Sequence, residues 1–314
     1  MKVTIRTRRE EANLKSHVIA HEAKRKVRLF EGEKSLVMTG LLGFLLAAVC
    51  AVWTLAFGGE VPPGGDVSKA FSFNAALGAF LLSTAAVSPF SALGARSRSV
   101  FRRAYIALAL YAYFAETVQN FRGVNPRFVA DGTAFDKAVG NVFAFVALLL
   151  VLFYLFLGVQ FFRRKAYELR PELVLGVRYA MIAVVLSFAA GIWISVNQGR
   201  YIGSHGNIIW LHGLGFHALQ AVPLVAWLTE RSPLQASARR KLIHIAGVAF
   251  LLGLVAIGWQ TMNGDAVLRW SMLPILAGVC FLVSLAAGAL ALRQSALRLN
   301  SAGGNKKSKL SRQL

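Results

Sequence analysis

One carboxylate in this sequence stands inside a long apolar run: Glu116, within Tyr111-Ala112-Tyr113-Phe114-Ala115-Glu116-Thr117-Val118-Gln119. An ionised carboxylate in hydrocarbon must find a cation, a ligand or several donors, or take up a proton. Gln119 at i+3 and Tyr113 at i−3 share its helix face. Arg122 and Arg127 follow just beyond, as candidate counter-charges. A second apolar run holds two histidines, His212 and His217, with Gln220 one turn on. Neutral imidazole ligates haem iron, copper or zinc. The two histidines are about 140° apart on a helical wheel. They are therefore not expected to bind one ion from one face.

These residues need elements to place them, and composition says which. The chain has 314 residues, of which 56% are hydrophobic and 16% charged, and its mean hydropathy is +0.55. Soluble domains are about 25% charged, so an ordinary soluble enzyme, a disordered chain and a disulfide scaffold are all excluded. A spanning helix needs about 20 mostly apolar residues. Eight stretches qualify: 35–57, 71–93, 104–121, 139–162, 173–195, 209–229, 242–260 and 270–292. The third is the weakest, because it carries Glu116 and Gln119. The expected fold is an all-α integral membrane bundle of about eight transmembrane helices. Residues 1–34 and 293–314 form basic tails around the membrane domain 35–292. No cleavable leader is expected, and the first span reads as an uncleaved anchor.

The net charge of +21 comes from 35 Lys and Arg against 14 Asp and Glu. In a soluble protein this would suggest nucleic acid. Here the basic residues sit between apolar runs, so membrane topology explains them first. Alternate gaps carry 28 and 6 of them, with Arg178 inside the fifth span. The positive-inside rule then puts both termini in the cytoplasm. The tails face anionic lipid headgroups, and nucleic acid is an unlikely partner. The expected home is the bacterial cytoplasmic (inner) membrane.

On that topology polar side chains collect in the external half. Glu116 lies roughly 8 Å below the outer boundary at 1.5 Å per residue. Asn197 and Gln198 end the fifth span outside, His205 follows them, and Gln260 ends the seventh. Asn74 and Asn141 begin the second and fourth. The cytoplasmic half holds mainly Arg178, Gln160 and His244. Arg178 is expected to snorkel, and His244 to be a satisfied interfacial residue. His17 and His21, at i and i+4, have metal spacing but no evident third ligand. Cys50 and Cys280 fall inside spans as small packing residues, without CxxC spacing. No P-loop, GxSxG, HExxH, Rossmann fingerprint, CxxCH or desaturase histidine box occurs. The third and fifth spans end in the similar segments Gln119-Asn120-Phe121-Arg122-Gly123 and Asn197-Gln198-Gly199-Arg200-Tyr201. Five residues establish no repeat.

The stretches Arg122-Gly123-Val124-Asn125-Pro126-Arg127-Phe128 and His212-Gly213-Leu214-Gly215-Phe216-His217-Ala218-Leu219-Gln220 resemble segments of uncharacterised bacterial multi-pass membrane proteins. The resemblance covers those two stretches and carries no activity. It implies only that they be treated as one site. The leading expectation is a buried His/Glu site in the external half, holding haem, a metal or a small ligand for redox work. His212 or His217 would be the ligand. Glu116, Gln119, Arg122, Arg127, Asn197, Gln198, Gln220 and Gln260 would surround the ligand or carry a proton. The alternatives are a small-solute or proton-coupled transporter, with Glu116 titrating, and a structural subunit.

Overall fold

The structure is a computed structural model that describes residues 27–129 and 132–310, with side chains through 298. His17, His21 and most of both tails lie outside the described residues. The described chain is helical apart from two small hairpins. The elements run α1 (Lys34–Phe57), β1 (Glu60–Val61), β2 (Gly65–Asp66), α2 (Val67–Val87) and α3 (Ala95–Phe121). Then come α4 (Ala134–Phe162), the short α5 (Arg164–Leu169), α6 (Pro171–Val196), β3 (Tyr201–Ile202) and β4 (Gly206–Asn207). The chain closes with α7 (Ile209–Thr229), α8 (Ala236–Met262) and α9 (Met272–Leu310).

Seven helices are long and apolar enough to cross a membrane, so this is a multi-pass membrane protein of all-α class. The eighth long helix, α3, falls outside that group. Its first two turns hold Arg96, Arg98, Arg102 and Arg103, and its far end holds Glu116, Gln119 and Asn120. It nevertheless packs against α1, α2 and α4. Outward faces are apolar, as at Leu45, Leu55 and Leu282, because lipid offers no penalty for them.

Several helices run past the apolar stretches, because local signals other than hydropathy set their ends. Thr133 and Asp136 form a capping box, so α4 starts at Ala134. Pro171 at the first turn starts α6, where its missing N–H costs nothing. The basic residues of α3 and α8 continue each helix past its apolar part.

Within the membrane, close approach replaces hydrophobic driving force. A Cβ on Gly40 would stand 3.0 Å from the Gly78 carbonyl oxygen, and one on Gly78 would stand 2.8 Å from that of Gly40. Helices α1 and α2 therefore touch backbone to backbone. Helices α6 and α7 do the same, with Gly215 against the Ala183 carbonyl and Gly176 against that of Val222.

These two pairs belong to a larger repetition. The unit α1–hairpin–α2–α3–α4 recurs as α6–hairpin–α7–α8–α9. From residue 58 to 124 the register is gapless at an offset of 141, as between Gly65 and Gly206. Hydrogen bonds repeat with it. Val67 N donates to Gly59 O at 2.7 Å, and Ile208 N to Arg200 O at 2.8 Å. Gly64 N donates to Gly123 O at 2.8 Å, and His205 N to Gly264 O at 3.0 Å. Gly123 and Gly264 have φ of 77° and 74°, in the left-handed region that favours glycine. The hairpins pair in equivalent register, Glu60 with Asp66 and Tyr201 with Asn207. At the opposite end, Arg98 meets Glu33 at 3.4 Å and Arg239 meets Glu172 at 3.8 Å. The third span thus corresponds to the seventh. Its likeness to the fifth, at Asn197 to Tyr201, is coincidental.

Candidate functional site

The polar residues expected at one depth divide into three groups. The first surrounds Glu116. Its carboxylate is 1% exposed, and Arg127 Nε donates to its Oε1 at 2.5 Å. Asn120 Nδ2 donates to the Glu116 backbone carbonyl at 2.7 Å and to Oε2 at 3.4 Å. Beside them Asp136 accepts from Arg122 and Gln119, each at 3.1 Å, and from the Thr133 hydroxyl at 2.7 Å. Both arginines lie over aromatic rings, Arg127 over Phe73 of α2 and Arg122 over Phe135 of α4. The two ion pairs therefore tie the α3–α4 loop down onto the bundle. Glu116, Gln119, Arg122 and Arg127 come together as one cluster. Asp136 and Asn120 join it unforeseen, although the Thr133-x-x-Asp136 spacing was a readable helix-start signal.

The second group lies at the equivalent end of the other repeat, where the ion pair of Arg269 with Asp265, at 2.5 Å, is exposed and stays within its own loop. Gln260, the counterpart of Gln119, donates to Ala266 O at 3.1 Å. Asn197 ties down its own turn through Gly199 O and Tyr201 O, and Gln198 bonds Ser195 O. Both are exposed. Asn197, Gln198 and Gln260 thus do not join Glu116, because they serve the second hairpin end.

The third group lies where the two repeats meet, along α2 and α7. His212 and His217 part company there. The His212 ring sits against Gly191, and its Nδ1 is 2.7 Å from Ser187 O. The Ser187 hydroxyl in turn bonds the His212 carbonyl. His212 thereby clamps α7 to α6. His217 is exposed and not part of a buried site. Its Nδ1 lies 3.2 Å from Gln220 Oε1. Gln220 Nε2 donates to Ser83 Oγ at 2.6 Å, and Ser83 donates to Ala79 O at 2.8 Å. These directions place the His217 proton on Nδ1 and leave Nε2 as an acceptor. Below this chain, Phe80 of α2 meets Phe216 of α7 edge to face (5.0 Å) and Tyr154 of α4 at a tilt (4.5 Å). Thr84 donates to the Tyr154 hydroxyl at 3.3 Å. Ser83, Thr84 and Tyr154 carried no sequence signal beyond being polar residues in apolar runs. Pro223, inside α7, deprives the Leu219 carbonyl of its helical donor one turn before.

Among the described residues, no three His, Cys, Asp or Glu side chains gather as a metal ion would need. Other expectations resolve locally. Arg178 donates to Phe161 O at 2.8 Å and Phe162 O at 3.4 Å, and so caps the end of α4. His244 bonds the Tyr179 hydroxyl at 2.7 Å. Cys50 and Cys280 are buried and free.

No family model, no curated protein and no solved structure matches this chain.

Proposed function

We propose that the protein is a membrane carrier for a small ligand, working at the seam between its two repeats. The observation that carries this reading is the tandem four-helix unit, met at its boundary by the hydrogen-bonded chain Ser83–Gln220–His217. Carriers built from parallel repeats bind their cargo near the midplane at the repeat boundary and rock one repeat against the other. A proline-interrupted α7 at that boundary suits such motion. Glu116 and Arg127 would close the external end, because their pair ties the α3–α4 loop onto the bundle over Phe73 of α2.

The same reading makes α3 the eighth span, since its counterpart α8 is apolar enough to cross. Both hairpins then lie outside, and both termini lie in the cytoplasm of a bacterial cell. Exposed Arg103, Arg164, Lys165, Arg240 and Lys241 would meet anionic headgroups at the cytoplasmic face.

Pulsed electron paramagnetic resonance tests the motion without knowing the cargo. Spin labels go on Lys69→Cys and Trp210→Cys, equivalent positions at the outer ends of α2 and α7, with Cys50 and Cys280 replaced by alanine. A carrier gives two distance populations, and Glu116→Gln shifts their ratio. A single narrow distance in both proteins removes the carrier reading.

A further inference from the structure

The seam has two sides, and they differ. Towards α4 and α6 it is filled by Phe80, Tyr154, Phe188 and Phe216. On the other side α1 and α9 flank it, and the two are not packed on one another as α4 and α6 are. A polar stripe faces this open side. On α2 it comprises Ser72, Ala76 and Ser83, at helical spacings of four and seven. On α7 it comprises Gly213, His217 and Gln220, at spacings of four and three. The two sets overlap under the repeat: Ser72 corresponds to Gly213 and Ala76 to His217. Ser72, Ala76 and His217 are exposed, and a Cβ on Gly213 would meet nothing within 4 Å. The walls therefore stand apart above the Ser83–Gln220 bond.

His217 is eight residues into α7, about 12 Å along a helix rising 1.5 Å per residue. An imidazole at that depth, facing away from the protein, is costly against lipid tails alone. Something polar must meet it. Its Nε2 is an acceptor, Gln220 keeps a second amide proton, and Ser72 offers a hydroxyl. No Asp, Glu, Lys or Arg lies among these stripe residues, and Lys69, one turn above Ser72, is already paired with Asp66 at 3.1 Å. A charged head would find no counter-charge, whereas hydroxyls and carbonyls would find partners. The apolar remainder of the molecule would stay in the bilayer between α1 and α9.

We propose that the seam takes, sideways from the bilayer, an uncharged amphiphile whose head presents hydroxyl and carbonyl groups to His217 and Gln220. This rests on the carrier reading for its purpose, but the site can be tested separately. The probes are photoreactive diacylglycerol, which is uncharged, and photoreactive phosphatidylglycerol, which is anionic. Each is incorporated into nanodiscs holding the full chain. The expected result is diacylglycerol label concentrated on residues 209–229 and displaced by unlabelled diacylglycerol. Loss of one hydrogen bond in His217→Leu or Gln220→Leu should weaken that displacement about fivefold. Val159→Ala, an exposed change on α4 at the filled side of the seam, should leave it intact. Label spread evenly over the lipid-facing helices overturns the proposal, and so does equal labelling by phosphatidylglycerol. A third contrary result is Gly213→Cys forming disulfide-linked dimers with the label excluded, which would show a second copy of the chain covering the stripe. Saturable labelling with a single spin-label distance would keep the site and remove the carrier.

Discussion

At Gly65 and Gly206 the two repeats make the same contact, but at Glu116 and Ile257, the same offset apart, they differ. A Cβ on Gly65 would stand 2.7 Å from Gly123 Cα, and one on Gly206 would stand 3.0 Å from Gly264 Cα. That hairpin-to-turn contact is the architecture both units need. Glu116, paired with Arg127, has Ile257 at its equivalent position. His217 and Gln220 likewise replace Ala76 and Ala79. What the units share builds the bundle. What they do not share is where function is to be sought.

The largest effect should come from breaking the unshared pair. Arg127→Leu leaves the Glu116 carboxylate buried without its cation. Removing one partner of a buried pair costs about 3–5 kcal/mol. Arg127 is 38% exposed, so the lower end applies. The double variant Glu116→Ile/Arg127→Leu gives position 116 the residue of the second repeat and should recover most of the loss, measured as unfolding free energy in mild detergent. Leu268→Ala, in the α8–α9 loop and 82% exposed, should stay within about 0.5 kcal/mol. A double variant as unstable as the single one would break the comparison.

Shared positions should instead respond alike. Gly123→Ala and Gly264→Ala each force a side chain into the left-handed region, at about 1–3 kcal/mol. The strain is common to both, but Gly123→Ala should lose the more, because its Cβ would also collide with the Pro62 carbonyl, whereas one on Gly264 first meets Gly203 Cα at 3.0 Å. A smaller matched pair is Gln119→Ala and Gln260→Ala, each removing a buried hydrogen bond worth about 1 kcal/mol. A larger loss at Gly264 than at Gly123, or strong disagreement between the glutamines, would show that the repeats are not energetically equivalent.

The smallest difference is in pH response. Asp66 and Asn207 both cap the helix after their hairpin, accepting from Ser68 N and Ile209 N. Burial alone would raise the Asp66 carboxyl. Hydrogen bonds from Ser68, with Lys69 beside it, together outweigh burial and hold the carboxyl below the usual carboxylate range. The stabilisation is therefore present above the ordinary carboxylate value and is lost as pH falls through the lowered one. Asn207 does not titrate. Hydrogen exchange across residues 60–70 should quicken in acid, relative to residues 201–211. Equal acceleration in both would contradict this.

The sequence made the membrane class, most span positions and the Glu116 cluster legible, since hydropathy and intramembrane charge are read residue by residue. The repeat was not legible. Its identical positions, such as Gly58 and Gly199, Ser91 and Ser232, or Gln119 and Gln260, are scattered, and the two glutamines bond different partners, Asp136 Oδ1 and Ala266 O. The sorting of His212 from His217 was half legible. Their angular separation followed from spacing, but which one clamps α6 depended on Gly191, 21 residues before His212.

The central claim is that two parallel units cross the membrane alike, with α3 as a full span. Single cysteines at Gly64 and His205, equivalent positions in the two hairpins, test it when Cys50 and Cys280 are replaced by alanine. If α3 crosses, both cysteines react with a membrane-impermeant maleimide from the external side of right-side-out vesicles. If α3 does not cross, only one hairpin lies outside, and labelling from opposite sides of the membrane would contradict the account.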